Sequence, residues 1–347
     1  MTFQISDRII DPTQRPYVVA ELSANHNGKL DQALKLIHLA KEHGADAVKI
    51  QTYRPDTITI NSHRPEFQIT SGKWAGQNLY ELYEQAHTPW HWHPAIFEEA
   101  KAEGITLFSS PFDTSAVDFL EDLNCPAYKI ASFELVDLPL IQYAAKTGKP
   151  LLMSTGMATE TEIEEAVVAA QSAGCRQLLL LVCVSGYPAP VQQYNLRRLI
   201  KLKEKFRDAI SLGLSDHSLS STAAIASISL GACLVEKHFT LDRQGGGPDD
   251  SFSMEPADLA QLRAQCDDTW AAMGTGAFEL QPSEQHNRQF RRSLYFVKSI
   301  QVGEVVREEH VRSVRPANGL APKYFQQVLG KKVSRDFEAG EPVPKGL

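Results

Sequence analysis

Long hydrophobic runs are absent from this sequence of 347 residues; the longest, LLLLVCV at 178–184, is too short to span a bilayer. The five cysteines form no CxxC pair, and an odd, dispersed set is typical of reduced thiols in a cytosolic protein. No basic stripe accompanies the net charge of -7, which argues against a nucleic-acid binder. The first residues lack the basic start and apolar run of a signal peptide, so we expect a cytoplasmic protein without membrane or nucleic-acid partners.

Short apolar runs alternate with amphipathic segments of helical period along most of the chain. Eight β-then-α units in about 250 residues predict a TIM (β/α)8 barrel, an α/β fold. A doubly wound sheet is the alternative, but no GxGxxG follows any of the predicted strands. The eight predicted strands are 17–23, 47–53, 105–111, 127–132, 150–155, 178–185, 211–218 and 233–239.

The alternating rhythm stops near residue 275. The polar stretch LQPSEQHNRQFRRS is typical of a linker, and LYFVKSIQVGEVV and KKVSRDFEAGEPV predict short strands broken by glycine turns. The sequence therefore predicts a barrel domain over 1–280, a linker over 281–292 and a small β-rich domain over 293–347.

All eight predicted strands end in polar residues, although the strand bodies are apolar. In a TIM barrel the chemistry lies at these carboxyl ends. Residues two apart on a strand face the same way, so each of four pairs can point into the mouth of the barrel. The pairs are Glu21 with Ser23, Lys49 with Gln51, Ser215 with His217, and Glu236 with His238.

Two lysines, Lys49 and Lys129, together with serine hydroxyls, favour an anionic and phosphorylated substrate. His217 and His238 end neighbouring strands and could bind a divalent metal, but two ligands make an incomplete site. Water, substrate or Glu21 would complete the shell, and the loop RQGGGPDD at 243–250 could bring Asp249 to a ligand. The residues alone therefore predict a metal-assisted barrel enzyme that acts on an anionic small molecule.

Other functions compete with this one. A Schiff-base aldolase would use Lys129 or Lys49 as nucleophile. A metal-dependent hydrolase usually carries HxH on its first strand, where this chain has ANHNG, and a sugar-binding module in the tail leaves the polar strand ends unexplained. The run WHWHP at 90–94 lies in a helical connection and is expected to be structural, and the role of His26 stays open.

Several motifs together resemble the sialic acid synthase family over nearly the whole chain, and the tail with RRSLY and RPANG resembles that family's antifreeze-like (SAF) domain. The motifs are AELSANHNG, GADAVKIQTY, SSPFD, YKIAS, MSTGM, GLSDHS, EKHFTLDR and GGPDDSFSMEP. The resemblance implies a transferase that condenses phosphoenolpyruvate with an open-chain amino-sugar aldehyde to give a nine-carbon 2-keto acid and phosphate. ELSANHNG is closest to the family's pseudaminic acid branch, which implies a 2,4-diacetamido-2,4,6-trideoxy-altrose as the sugar. Legionaminic and N-acetylneuraminic acid synthesis remain alternatives.

The resemblance also implies roles for individual residues. Glu21 lies beside the reacting carbons, and His217 and His238 bind a divalent metal (Mn²⁺, Mg²⁺ or Co²⁺). Ser185 stands where the sialic acid branch has asparagine, which argues against N-acetylmannosamine. The tail of a domain-swapped homodimer would lend Arg315 to the partner's site. The expected phosphoenolpyruvate contacts are Lys49, Ser110, Lys129, Ser132, Ser154 and Ser215, and the expected sugar contacts are Gln51, Tyr187, Asp249 and Arg315.

Overall fold

A computed structural model describes residues 2–347, apart from the side chain of Asp208. The chain divides into two units, one that ends at Gly274 and one that spans Thr275–Leu347. The sequence-based boundary at 280 lies six residues beyond this division.

The first unit is a closed barrel of eight parallel strands, preceded by a hairpin of β1 (Gln4–Ile5) and β2 (Arg8–Ile9). The predicted TIM barrel is confirmed, and each strand lies within its predicted range. Parallel barrel strands are covered on both faces, so they are continuous apolar runs that a sequence reveals well. The barrel strands are β3 Tyr17–Glu21, β4 Ala47–Thr52, β5 Thr106–Pro111, β6 Tyr128–Ile130, β7 Leu151–Ser154, β8 Leu178–Cys183, β9 Ser211–Asp216 and β10 Leu234–His238.

Helices surround the barrel and pack apolar stripes against it. In α1, for example, Leu36 and Ile37 are completely buried, and each such side chain contributes roughly 1.5–3 kcal/mol. The helix ends just before Gly44, whose φ of 92° favours glycine. The helices are α1 Leu30–Glu42, α2 Pro55–Ile58, α3 Leu79–Ala86, α4 His93–Ala102, α5 Thr114–Asp122, α6 Leu138–Lys146, α7 Glu160–Ser172, α8 Arg198–Phe206, α9 Thr222–Ser229 and α10 Pro256–Met273.

The second unit is small and β-rich, and its residues 275–292 are exposed. Strand β11 (Ser293–Phe296) pairs antiparallel with β12 (Val311–Val314), and a short helix α11 follows at Phe325–Val328. The two predicted strand regions are joined by single bridges such as Ile300 to Phe337, whereas β12 lies outside the predicted strands. The core consists of Leu294, Phe296, Ile300, Val306, Val311, Val328, Val333, Phe337 and Val343.

No helix within residues 2–347 combines the length and the apolar character needed to cross a membrane.

Candidate active site

The carboxyl ends of the barrel strands open into a cavity of about 520 Å³. Ser110 does not line this cavity, and its Oγ accepts a hydrogen bond from Lys49 Nζ over 3.3 Å. Ser154 is fully buried at the end of β7, and Arg315 is an exposed residue of the second unit. Ten of the predicted site residues line the cavity: Glu21, Lys49, Gln51, Lys129, Ser132, Tyr187, Ser215, His217, His238 and Asp249.

The strand register brings these side chains together. Glu21 at the end of β3 lies opposite Lys49 on β4 and opposite His238 on β10. Glu236 lies opposite Ser215 on the neighbouring β9. Because residues two apart share a face, Glu236 and His238 both point towards the cavity.

Four buried charges form the floor of the cavity. Lys49 Nζ forms an ion pair with Glu21 and lies 3.8 Å from Glu236 Oε1. Lys129 Nζ lies 3.4 Å from the same oxygen, which also accepts a hydrogen bond from Ser215 Oγ over 3.2 Å. Buried charges are costly unless paired, so this cluster holds two cations ready for an anionic ligand at the expense of folding stability.

The two carboxyl groups differ in their acidity. Burial raises the pKa of Glu21 above its ordinary value, although Lys49 opposes that shift. Burial acts the same way on Glu236, but Lys129 and Lys49 outweigh it and hold the pKa of Glu236 below its ordinary value. Burial alone would lower the pKa of Lys129, but the neighbouring Glu236 raises it. Two nearby carboxyl groups with separated pKa values suit different roles in proton transfer.

His217 and His238 lie side by side, with 5.3 Å between ring centroids, and Tyr187 packs 4.5 Å from the ring of His217. His217 Nδ1 is 2.9 Å from the Val184 carbonyl oxygen, so Nδ1 is the donor and Nε2 is the nitrogen left to face a ligand. Burial alone would lower the pKa of this ring, but the neighbouring Cys183 raises it above its ordinary value. Burial holds the pKa of His238 well below its usual range, which keeps that ring neutral. Among the described residues, nothing hydrogen-bonds to the buried His238 Nδ1.

Cys183 at the end of β8 is an additional member of the site that is absent from the residues predicted above. Its Sγ lies 3.9 Å from His217 Nδ1. Burial would raise the pKa of the thiol, but His217 and Lys129 lower it to about 7. Within residues 2–347, no three His, Cys, Asp or Glu side chains converge closely enough to form a complete metal site.

The loop at 243–250 brings Asp249 into the cavity. Asp249 Oδ2 accepts a hydrogen bond from Ser23 Oγ over 2.5 Å and lies 4.0 Å from His238 Nδ1. Burial raises the pKa of Asp249, and Ser23 opposes the shift. Gly247 lets the loop pack closely, because a Cβ there would collide with the Asn27 side chain.

Gln51, one of the predicted sugar contacts, is held in place by hydrogen bonds to two neighbouring side chains. Gln51 Nε2 donates to Ser23 Oγ over 3.1 Å and to Glu21 Oε1 over 3.3 Å. Ser23 has a φ of 42°, a left-handed conformation that is uncommon for serine and is often held in place at functional sites.

The outer wall of the cavity comes from a segment that contains none of the predicted site residues. Trp74 lies in this segment, donates from Nε1 to the Pro248 carbonyl over 3.2 Å and packs 5.8 Å from Tyr187. The connection between β4 and α4 is 40 residues long, far longer than a usual βα loop. In the sequence, this unusual length is the feature that could have indicated a functional segment. The apolar residues that this segment adds to the wall are Tyr53, Ile58, Ile69, Trp74, Leu79, Leu82, Tyr83 and Ala86.

Two acidic residues for which the sequence predicts no role also line the cavity. Glu236 ends a predicted strand, and its position two residues before His238 signals that it faces the cavity. Glu134 follows β6, lines the cavity, and has a pKa that burial raises to about 7.

Two further histidines, His26 and His93, are buried outside the cavity and have structural contacts. His26 accepts a hydrogen bond from the Gly28 N–H over 3.1 Å and packs edge-on against Trp92 at 5.4 Å. His93 of WHWHP is buried, with Nε2 2.8 Å from Thr52 Oγ1. Burial lowers the pKa of each imidazole to about 4. Both residues therefore stabilise the βα connections as neutral groups.

Comparison with protein families matches the NeuB family profile to residues 36–278 and the SAF domain profile to residues 291–346. A pseudaminic acid synthase from Campylobacter jejuni subsp. jejuni serotype O:23/36 (strain 81-176) is 45% identical over 331 residues, which cover 94% of this chain and 95% of the relative. An N,N'-diacetyllegionaminic acid synthase from Campylobacter jejuni subsp. jejuni serotype O:2 is 35% identical over 332 residues, covering 94% and 98% of the two chains.

A solved structure shares the architecture. It is the N-acetylneuraminic acid (sialic acid) synthetase from Leptospira borgpetersenii serovar Hardjo-bovis in complex with citrate. The TM-score is 0.74 at 28% identity, and the match covers 83% of this chain and 95% of the solved one.

Proposed function

We propose that this chain, which belongs to the NeuB family, condenses phosphoenolpyruvate with an open-chain 2,4-diacetamido-2,4,6-trideoxy-altrose to give pseudaminic acid and phosphate. The greater identity to the pseudaminic acid synthase than to the legionaminic acid synthase supports this choice of sugar. The reaction would take place in the cytoplasm, where the five cysteines, all buried and free, stay reduced.

The observation that carries the proposal is the buried charge cluster at the floor of a cavity of substrate size. Lys49 and Lys129 lie on this floor beside Glu21 and Glu236, and both ammonium groups face the cavity. These two ammonium groups would hold the phosphate and carboxylate of phosphoenolpyruvate. Ser132 and Ser215 line the same floor and would add hydrogen bonds to the bound anion.

The condensation needs the enol carbon of phosphoenolpyruvate to attack the aldehyde carbon of the sugar. Lys49 and Lys129 would hold the enol in place and so convert a bimolecular step into a positioned one. Positive charge then develops at C2, where an ionised Glu21, held by Gln51, would stabilise it. Water adds at C2, and one of its two protons passes to the former aldehyde oxygen, which becomes a hydroxyl group. The bond between C2 and the phosphate oxygen then breaks, the C2 carbonyl forms, and the second proton leaves with phosphate.

A divalent ion fits the two histidines. His217 presents Nε2 because its Nδ1 is bonded to a carbonyl, and His238 is neutral and carries an unpartnered buried Nδ1 among the described residues. Imidazole nitrogens in these states are ordinary ligands for transition metals and Mn²⁺. When bound, such an ion would polarise the aldehyde oxygen as a Lewis acid.

The apolar outer wall supports a deoxygenated, acetylated sugar. Ile58, Ile69 and Leu79 are only partly buried, so a ligand that covers them removes apolar surface from water. The C6 methyl and the acetamido methyl groups of the proposed sugar offer matching surface, whereas N-acetylmannosamine presents hydroxyl groups there. A hydroxyl placed against this wall would lose its hydrogen bonds to water.

The tail supports a homodimer in the proposal. Arg315 is exposed and directly follows β12, and the resemblance assigns an arginine at this place to the sugar site of a partner subunit. A domain of about 60 residues is marginally stable alone, so docking on a partner would add useful buried area.

A Schiff-base aldolase is disfavoured by the environment of Lys129. A lysine nucleophile needs a lowered pKa, whereas Glu236 raises the pKa of Lys129. Borohydride trapping in the presence of substrate would inactivate an aldolase and leave a synthase unaffected.

The experiment that tests the proposal is phosphate release from phosphoenolpyruvate with three sugars, in added metal and in chelator. The sugars are the diacetamido-trideoxy-altrose, the legionaminic acid precursor and N-acetylmannosamine. We expect the first to give the highest kcat/KM, by on the order of tenfold to a hundredfold or more. A preference for N-acetylmannosamine would place the chain in the sialic acid branch, and no phosphate release with any of the three would refute the proposal.

A further inference from the structure

Two charged residues directly precede the two histidines of the site. Asp216 comes before His217 at the end of β9, and Lys237 comes before His238 at the end of β10. Asp216 and Lys237 are register partners across the two strands. Because side chains alternate along a strand, both point away from the cavity that the histidines face.

The two side chains form an ion pair on the outer face of the barrel wall. Lys237 Nζ lies 3.0 Å from Asp216 Oδ2, and it also donates to the Ser218 carbonyl oxygen. Asp216 is 1% exposed and Lys237 is 3% exposed. The contact therefore ties β10 both to β9 and to the turn that follows His217.

A tyrosine completes the arrangement. Asp216 Oδ1 accepts hydrogen bonds from Tyr194 Oη over 2.5 Å and from the Ser218 N–H over 2.8 Å. The Tyr194 hydroxyl oxygen in turn accepts the His217 N–H over 2.8 Å. The carboxylate of Asp216 thus holds the backbone on both sides of His217, directly at Ser218 and through Tyr194 at His217 itself.

Stability alone is a weak reason for such an arrangement. A buried ion pair recovers little more than its desolvation cost, and an apolar pair of similar volume is often as stable or more stable. What a fully bonded buried pair provides is a single fixed geometry. Here the fixed elements are the two adjacent strand ends that carry the histidines.

We propose that Asp216, Lys237 and Tyr194 act together as a positioning clamp that sets the spacing and orientation of His217 and His238. The proposal rests on the role proposed above for the two histidines. The clamp touches neither substrate nor metal, and it acts by holding the backbone from which the imidazoles project. Groups that orient metal ligands typically change metal affinity by about 10–100-fold when removed.

Two variants of the full-length protein separate positioning from simple stabilisation. The double variant Asp216→Ala with Lys237→Met removes the acceptor that Tyr194 and Ser218 share and leaves no buried charge unpaired. Tyr194→Phe removes a single hydroxyl and keeps the ion pair, so it serves if the double variant does not fold. The control is Asp46→Ala with Arg263→Met, which removes an ion pair of the same 3.0 Å length. Asp46 also pairs with Arg8, and Arg263 also pairs with Asp267. This control lies at the opposite end of the barrel, where Arg263 also bonds to the Pro16 carbonyl.

Two measurements decide the outcome: Co²⁺ affinity by titration of visible absorption, and hydrogen exchange of the His217 and Ser218 amides. We expect the clamp variants to bind Co²⁺ about 10–100-fold more weakly and to exchange these amides faster, with the Asp46/Arg263 control unchanged in both. Wild-type Co²⁺ affinity together with wild-type exchange in the clamp variants would overturn the proposal. If the wild-type protein binds no Co²⁺, the metal role of the histidines fails, and the amide exchange alone decides whether the clamp exists.

Discussion

The barrel and the tail bury different kinds of side chains. The barrel encloses two lysines and two glutamates at its mouth, and it buries a further ion pair behind the two histidines. In the tail, whose residues are all described, Ser293 is the one buried polar side chain, and the core is made of apolar residues.

Charge that is buried beside a cavity costs stability, so its presence marks the part of a protein where function resides. We therefore expect the chemistry in the barrel and a contribution of the tail through its surface. Arg315 is the surface residue for which the family resemblance implies a role, and it is exposed.

The largest expected effect tests whether the chemistry resides in the barrel. Replacing His217 or His238 by Ala should lower kcat/KM on the order of 10³-fold, about 4 kcal/mol, because the aldehyde would lose its metal. Chelation of the wild-type protein should reproduce the loss, and added Mn²⁺ or Co²⁺ should reverse it. The measurement is phosphate release, with thermal unfolding as a check on the fold.

His63→Ala is the control for these substitutions, because His63 is exposed and does not line the cavity. Full activity of a chelated, metal-free sample would contradict the metal proposal.

The next effect tests the contribution of the tail. Arg315→Ala should lower kcat/KM for the sugar by about 100-fold, as expected when one charged contact to a bound substrate is lost. Arg312→Ala, which removes another exposed arginine close by in the same domain, should have no comparable effect.

Mixing inactive Glu21→Ala with Arg315→Ala then tells which subunit supplies the arginine. If Arg315 acts in the partner's site, subunit exchange gives one intact site in each mixed dimer, and activity returns. Activity that stays absent after exchange means that Arg315 acts in its own chain, and full activity of Arg315→Ala alone removes its role.

A third effect contrasts the stability of the two units at mildly acidic pH. His26 and His93 have folded-state pKa values of about 4, against an ordinary value of about 6.5 in the unfolded chain. Between these values the unfolded chain binds more protons, so the barrel loses stability as the pH falls. Each histidine should cost on the order of 2 kcal/mol between pH 7 and pH 5.

Thermal unfolding at a series of pH values measures this loss. His93→Gln should make the pH dependence of the barrel shallower by up to about one proton, whereas the exposed tail residue His286→Gln should not change it. If the pH dependence of unfolding is unchanged in His93→Gln, then His93 binds its proton about as well in the folded state as in the unfolded chain.

Much of this organisation is predictable because it follows from local patterns. The eight strands are continuous apolar runs, and period-two alternation alone is enough to place Glu21, Lys49 and His238 on the inner face of the barrel. The roles of these residues came from the family resemblance and remain predictions.

Other features depend on long-range packing that a linear pattern does not encode. Trp74 enters the cavity wall only because a 40-residue connection folds back over the mouth. From the sequence alone, Asp216 and Lys237 would be expected to lie in solvent. Only the register of the barrel strands shows that the two side chains meet in the protein interior. Their burial depends on tertiary packing, so no local sequence pattern predicts the proposed clamp.

The smallest expected effect asks whether sugar preference is set at the barrel mouth. Ile69 is partly buried and lines the cavity, whereas Ile60 is 66% exposed and lies outside it. Ile69→Thr replaces apolar surface by a hydroxyl, so kcat/KM for the diacetamido-trideoxy sugar should fall about tenfold, or roughly 1.4 kcal/mol. Ile60→Thr makes the same chemical change in the same segment and should leave kcat/KM unchanged. The KM for phosphoenolpyruvate should stay constant in both variants, because its proposed contacts lie on the cavity floor. Equal kcat/KM values of the two variants for the sugar would show that the cavity wall does not recognise the methyl groups of the sugar. The exposed surface of the tail would then be the next place to test for specificity.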